Sequence, residues 1–184
     1  MKKETIQAYG RILHRELVAA MGCTEPIAIA YAAAKCRQVL GEEPEHCHVL
    51  CSGTIVKNVM GVTVPNSGGL KGIDVAATLG ILGGNADKDL EVLASVTQDH
   101  ITRAKQLLAQ NFCTCALVQN VENLYIQIQL SAGKHSAAVE IRSYHKNALS
   151  TAVIAIKNHH IFSTFLRGKY VLRNPQKSNE ISML

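Results

Sequence analysis

The sequence predicts an α+β fold, in which a helix-rich first part packs on an antiparallel sheet built mainly from the second part. Apolar residues at helical spacing and alanine-rich runs dominate as far as residue 108, whereas strict apolar/polar alternation begins at residue 124. The two patterns occupy separate stretches of the chain and do not alternate as βαβ units. A doubly wound parallel sheet is therefore not expected.

The first two predicted helices are separated by a tight connection. Apolar residues recur at helical spacing through residues 4–20, and that helix is expected to end at Gly22. Thr24 and Glu25 then offer a capping hydroxyl or carboxylate, and Pro26 suits a first helical turn, so a second helix is predicted as far as Leu40. Cys23 would thus lie immediately before a helix N-terminus.

The middle of the chain predicts short strands around polar segments. Residues 48–51 and 61–64 are β-type pieces on either side of a polar segment at 52–58, and a polar loop follows at 65–72. Beyond it, residues 73–82 predict a small-residue helix and residues 87–108 one or two more helices.

The second part predicts antiparallel strands. Apolar and polar residues alternate through 124–130 and 139–141, with turns expected at Gly133-Lys134 and Asn158-His159. We expect one α+β domain over residues 1–166, followed by a basic, frayed tail over 167–184.

Composition excludes several classes of protein. The chain has 184 residues, 47% of them hydrophobic and 18% charged, which is typical of a globular domain and not of a disordered chain. There is no Trp, which argues against a nucleic-acid surface built on stacking. The net charge of +5 is concentrated in the tail, so nucleic-acid binding is not expected.

Targeting signals are not evident either. Charged residues follow Met1-Lys2-Lys3 where an export signal would need an apolar core, and Glu25 and Pro26 interrupt the apolar run at 17–34. We therefore expect a cytoplasmic protein that does not enter a membrane, with its six cysteines reduced.

Cys23 is the most informative single residue. A thiol before a helix N-terminus feels the positive end of the helix dipole, which favours the thiolate, and thiolates are nucleophiles and metal ligands. The alternative is a small buried cysteine in a helix–helix turn. Glu25 could transfer protons, stabilise the helix terminus or only cap it, and the spacing does not decide between these roles.

The polar stretch from Ser52 to Gly72 could bind an anion. Its backbone N–H groups, amides and lysines suit a substrate carboxylate, although an ordinary surface loop fits equally well. Neither a Walker loop nor a dinucleotide-binding fingerprint is present. The other cysteines lack paired zinc-ligand spacing and are interpreted as packing residues, and lone histidines such as His145 more often have surface or core roles than catalytic ones.

Two motifs in the same order, the second of them long, resemble those of a known family. The first is GCTEP at 22–26, and the second is SGTIVKNVMGVTVPNSGGLKGIDVAATLGILGGN at 52–85. A third stretch, Tyr144-His145-Lys146-Asn147, resembles the family's His-Thr-Asn motif, with Lys146 in place of the usual Thr. Over most of residues 8–165 the chain resembles the N-terminal half of the iron–sulfur L-cysteine desulfidase family. This family is the UPF0597 group, which is related to the α subunit of iron–sulfur L-serine dehydratases.

The resemblance implies a lyase that eliminates sulfide or water from L-cysteine or L-serine and yields pyruvate and ammonia. It implies a [4Fe–4S] cluster as Lewis acid, with Cys23 as one ligand. The implied catalytic residues are Glu25, Lys57 and His145. The implied substrate-binding residues are Thr24, Asn58, Asn66 and Ser67.

The chain departs from this family in length. Family members carry the remaining cluster cysteines in a second half, which is missing here. We therefore expect an N-terminal fragment that is inactive and holds no stable cluster by itself, unless a separate chain supplies the second half. The alternative is a non-catalytic interaction module that pairs with such a subunit. An incomplete fold would also expose apolar surface and favour association of copies.

Overall fold

A computed structural model describes residues 3–16, 21–145 and 148–158 of the chain. Five α-helices, one 3₁₀ helix and five strands are found in these residues. In chain order they are α1 (Lys3–Glu16), α2 (Thr24–Leu40), β1 (His46–Ser52), α3 (Gly53–Met60), α4 (Ile73–Gly83), the 3₁₀ helix (Ala86–Glu91), α5 (Gln98–Ala109), β2 (Cys113–Val118), β3 (Tyr125–Ala132), β4 (His135–His145) and β5 (Ala148–Asn158). The α+β prediction is confirmed.

The strands form one mixed sheet in the order β2-β1-β3-β4-β5. Strands β3, β4 and β5 pair antiparallel, as predicted, and Gly133 turns between β3 and β4 with φ 53°. Strand β1 pairs antiparallel with β3 but parallel with β2. The second part of the chain therefore supplies most of the sheet, whereas β1, from the first part, lies inside it.

Helices α2 and α4 cover one face of this sheet. Alternate residues of β1 and β3, such as Val49 and Ile128, point towards these helices and are fully buried. The two helices approach closely at Gly80, where an added Cβ would lie 2.3 Å from the Ala30 carbonyl oxygen. Small residues in both helices are what allow this approach.

Two predictions for residues 52–64 are wrong. The polar segment at 52–58 is mostly helix α3, which begins after Ser52 because the serine hydroxyl accepts a hydrogen bond from the Ile55 backbone N–H at 3.4 Å. Burial of Ile55 and Val59 stabilises this short helix. Residues 61–64 are not a strand, since Thr63 forms only an isolated bridge with Lys71.

The other predicted elements are largely confirmed. Helices α2 and α4 begin within a residue or two of the expected positions, and residues 87–108 divide into the 3₁₀ helix and α5. The prediction of Asn158 in a turn is wrong, since Asn158 is the last residue of β5 and pairs with Ser136 of β4. The other half of that turn, His159, lies outside the described residues, as do the predicted continuation of the first helix to residue 20 and the tail at 167–184. None of the helices described here combines the length and apolarity needed to cross a membrane.

Candidate functional site

The N-terminus of α2 gathers the polar groups that the sequence singled out. Cys23 occupies the N-cap position, and α2 begins at Thr24. The Cys23 thiol donates a hydrogen bond to Glu25 Oε2 at 3.0 Å, and the Thr24 hydroxyl donates to the same oxygen at 3.2 Å. Cys23 and Glu25 are both half-buried. The carboxylate of Glu25 is therefore the centre of this cluster.

Helix α3 supplies the fourth member of the cluster. Asn58 Nδ2 donates to Glu25 Oε1 at 2.9 Å, so each carboxylate oxygen of Glu25 has its own partners. We call Cys23, Thr24, Glu25 and Asn58 the Cys23 site. Its members come from the two motifs that are separate in the sequence, since Glu25 and Asn58 are 33 positions apart.

Electrostatics at the Cys23 site oppose the expectation of a thiolate. The hydrogen bond to Glu25, together with partial burial and the negative charge of Glu25, raises the pKa of the Cys23 thiol above its ordinary value. The helix N-terminus acts in the opposite direction, through the backbone N–H groups of Thr24 and Glu25, but is the weaker influence. Cys23 is thus held as a neutral thiol.

Glu25 shows the complementary effect. The Cys23 thiol, the backbone N–H of Glu25 and the Asn58 amide all donate to its carboxylate and lower its pKa. Hydrogen bonds to the charged form of an acid stabilise that form. Glu25 is therefore a fixed, ionised carboxylate beside a protonated thiol.

The polar loop at 65–72 lies next to this site, but its Asn66 and Ser67 side chains form hydrogen bonds elsewhere. Gly22, with φ 150°, lies against Pro65, since an added Cβ would be 3.3 Å from Pro65 Cγ. Asn66 Nδ2 donates to the Leu93 carbonyl at 3.0 Å, and the buried Ser67 hydroxyl donates to the Leu70 carbonyl at 3.0 Å. These contacts hold the loop in shape, and the substrate-binding role of both residues stays a prediction.

Two further residues predicted at the site are less closely tied to it. Lys57 precedes Asn58 on α3 and is exposed to solvent. His145 is the last residue of β4, and its side chain lies outside the part of the chain that the structure describes, as do Lys146 and Asn147. Among the predicted site residues whose side chains are described, the structure brings together Cys23, Thr24, Glu25 and Asn58.

The remaining cysteines lie away from the Cys23 site. Cys36 is buried in α2 and donates to the Ile128 and Ala137 carbonyls of the sheet. Four others occupy the adjacent parallel strands β1 and β2, namely Cys47, Cys51, Cys113 and Cys115. Among the described residues, no group of three or more His, Cys, Asp and Glu side chains is arranged to hold a metal ion.

An iron–sulfur cluster needs several thiolates around it. The Cys23 site offers one thiol, and that thiol already donates to Glu25. The described residues therefore do not fit a [4Fe–4S] cluster by themselves.

A second polar cluster lies on the face of the sheet opposite α2 and α4. The buried Glu140 carboxylate accepts hydrogen bonds from the Tyr125 hydroxyl at 3.1 Å and Gln127 Nε2 at 3.2 Å, and it pairs with Arg142. The alternation of Tyr125 and Gln127 with apolar neighbours signalled this face in the sequence, but no functional role was predicted for it. A cavity of about 510 Å³ opens nearby, with His48, Gln129 and Ser131 in its lining.

Comparison with known proteins identifies relatives of this chain. It is 48% identical over 134 residues to a UPF0597 protein of Lachnoclostridium phytofermentans, which is 73% of this chain and 32% of that protein. A UPF0597 protein of Finegoldia magna is 47% identical over 76% of this chain, and one of Treponema denticola is 42% identical over 80% of it. Each of these matches covers 34% of the relative.

The chain thus spans about a third of the length of the relatives it matches. No protein-family model matches it. No solved structure matches it either. Over the aligned segment, this chain belongs to the UPF0597 family.

Proposed function

We propose that this chain supplies part of the site of a lyase that eliminates sulfide from L-cysteine, or water from L-serine. In this reaction a base removes the α-proton and the β-substituent leaves, and hydrolysis of the resulting aminoacrylate gives pyruvate and ammonia. The remaining groups of the site, including any cluster ligands beyond Cys23, would come from polypeptide equivalent to the other two-thirds of the relatives.

The observation that carries this proposal is the meeting of the two motifs. Residues 22–26 and 52–85 resemble the cysteine desulfidase family in sequence, and Glu25 contacts Asn58 across that separation. Half-exposed polar groups that converge from distant segments are more typical of a binding or catalytic site than of a packing contact.

Glu25 suits one role in such a site better than the others left open by the sequence. A carboxylate that accepts three side-chain hydrogen bonds is a stable anion and a poor base. It can instead pair with the ammonium group of an amino-acid substrate. We therefore assign Glu25 to substrate anchoring beside the Cys23 sulfur and leave α-proton removal to another group.

Lys57 and His145 are the candidates for that other group within this chain. An exposed lysine on α3 could reach a substrate held at the Cys23 site, and it could also bind the substrate carboxylate. Histidine is the side chain best suited to proton transfer near neutral pH. Both roles remain proposals.

A chimera tests the proposed function. This chain would replace the matching third of the L. phytofermentans protein, and pyruvate, sulfide and ammonia would be measured under anaerobic conditions with L-cysteine and with L-serine. We expect parent and chimera to form pyruvate from at least one of these amino acids. A folded parent and a folded chimera that both leave the two amino acids unchanged would overturn the proposal.

Cysteine variants of the chimera identify the residue involved. Cys23→Ser should reduce pyruvate formation by about 10²-fold or more, because serine is a poor substitute for a reacting or ligating thiol. Cys36→Ser and Cys115→Ser serve as matched controls and should retain most of the activity. Retained activity in Cys23→Ser together with loss in a control would show that the motif assignment is wrong.

The alternative function, a non-catalytic interaction module, is favoured by the surface of α1. Ile6, Tyr9, Ile12 and Leu13 are each 53–55% exposed on this helix. Exposed apolar side chains on one helix often mark a protein interface. If this alternative is right, the chain alone should bind the separate C-terminal two-thirds of a relative, and no cysteine variant should alter turnover.

A further inference from the structure

We propose that Asn58 is the positioning residue of the Cys23 site, acting through the Glu25 carboxylate on the direction in which the Cys23 sulfur points. The contacts form a chain: Asn58 Nδ2 to Glu25 Oε1 at 2.9 Å, and Cys23 Sγ to Glu25 Oε2 at 3.0 Å. The catalytic meaning of this role rests on the proposed function, whereas the structural role does not.

Glu25 needs an external anchor to hold a fixed position. Its side chain is half-buried and has three rotatable bonds, so fixing it costs conformational entropy. Asn58 provides the anchor because α3 is itself held in place by the buried Ile55 and Val59. With Asn58 bound to one oxygen and Cys23 and Thr24 to the other, the plane of the carboxylate is fixed.

The fixed carboxylate in turn selects the orientation of Cys23. A cysteine side chain has three staggered χ1 positions, and at an N-cap the sulfur could also approach the free backbone N–H groups of the first turn. The structure shows no side-chain capping bond from Cys23, whose thiol donates to Glu25 instead. The hydrogen bond to Glu25 therefore fixes the position of the sulfur.

This contact also explains why position 58 needs an amide donor. An aspartate there would place a second carboxylate against Glu25, and an apolar residue would leave Glu25 Oε1 without its partner. Asn58 was predicted from the sequence to bind the substrate carboxylate. Its Nδ2 bond to Glu25 makes it a positioning residue that need not contact the substrate.

The proposal can be tested in the intact 184-residue chain by exchanging the carboxylate at position 25 and the amide at position 58, singly and together. In Glu25→Gln, the side chain at position 25 has one oxygen acceptor and one NH₂ group. If the NH₂ group faces Asn58, two amide donors oppose each other, and if it faces Cys23, the thiol loses its acceptor. In Asn58→Asp, two carboxylates repel. In the double variant, the amide at position 25 can donate to the carboxylate at position 58 and still accept from Cys23. None of these changes alters side-chain volume appreciably, so folding is not at risk from packing.

The S–H stretching band of Cys23 reports directly on its hydrogen bond. It would be isolated by infrared difference spectroscopy between each variant and the same variant carrying Cys23→Ser. We expect the band to move to higher wavenumber in both single variants, because the acceptor is lost or displaced, and to return towards the wild-type position in the double variant. Cys36 donates to backbone carbonyls in both members of each difference, so cancellation of its band is the internal check.

Asn66→Asp is the matched control, because Asn66 donates to the Leu93 carbonyl and not to Glu25. It should leave the Cys23 band in place. An unchanged band in Asn58→Asp, or a double variant that stays shifted, would overturn the positioning role.

Turnover separates this role from the proposed function. In an active chimera, Asn58→Asp should lower kcat by about 10²-fold and the double variant should recover part of that loss. A shifted band with unchanged kcat would overturn the catalytic meaning of the role. An inactive chimera with the expected band shifts would count against the proposed function and leave the positioning role supported.

Discussion

The two parts of helix α2 use their side chains in different ways. Its middle, around Ala30 and Cys36, is fully buried between α4 and the sheet, and shape decides which residues fit there. Its N-terminal turn is half-exposed and is organised by hydrogen bonds around Glu25. A change in the middle should therefore alter stability without altering the chemistry of the site, and a change at the N-terminal turn should do the reverse.

The contrast between Cys36 and Cys23 gives the largest expected effect. Burial raises the pKa of Cys36 to about 12, and its side chain has no exposed surface, so it should react with a maleimide only when the protein opens. Cys36 in the native protein should react at least about 10³-fold more slowly than Cys36 in the urea-unfolded protein, because the free energy of unfolding of a typical domain is about 5 kcal/mol or more. Cys23 should be modified in the native state. Peptide mass spectrometry of timed samples measures both rates, and equal native rates would contradict the difference.

Gly80→Ala tests the close contact of α2 with α4. The added methyl would meet the Ala30 carbonyl oxygen at 2.3 Å and its Cα at 2.8 Å, so the helices must separate. We expect a loss of about 2–3 kcal/mol in the free energy of unfolding, from urea denaturation at constant slope. Gly10→Ala in α1 is the control, since nothing lies within 4 Å of its added Cβ. Similar destabilisation by both changes would show that helix contact is not the cause.

Cys36→Ala should have a smaller effect in the same buried region. It removes a sulfur atom that fills space and donates to the Ile128 and Ala137 carbonyls, which we expect to cost about 1–2 kcal/mol in the free energy of unfolding. The exposed Cys115→Ala should change that free energy by no more than about 0.5 kcal/mol. Denaturation curves of the two variants, taken side by side, decide the matter; a Cys36→Ala curve that overlays the wild type would place this thiol outside the packed core.

Cys23→Ser should have the smallest effect on stability. The serine hydroxyl can donate to Glu25 as the thiol does, and serine is a favourable N-cap residue, so the free energy of unfolding should stay within about 0.5 kcal/mol of the wild type. Thermal and urea denaturation measure this change. A loss of more than about 1 kcal/mol would mean that Cys23 supports the fold, and a loss of activity in this variant could then not be assigned to chemistry.

Local patterns in the sequence determined much of the architecture. The period-two alternation through residues 124–130 predicted β3, and the residues at Thr24–Pro26 predicted the start of α2. The predicted cap by Thr24 or Glu25 is wrong, since the N-cap residue is Cys23 and no side chain forms a capping hydrogen bond there. These features depend on residues only a few positions apart, so a sequence can specify them directly. The proximity of Cys23 and Glu25 was predictable in the same way.

Tertiary structure alone decided the rest. An eight-residue helix such as α3 is marginal in isolation and forms here because Ser52 caps it and two of its side chains are buried. Strand β1 lies inside the sheet because β2 and β3, from later in the chain, pair with its two edges. The Asn58 contact with Glu25 joins residues 33 positions apart, and periodicity and spacing carry no information about contacts of that range.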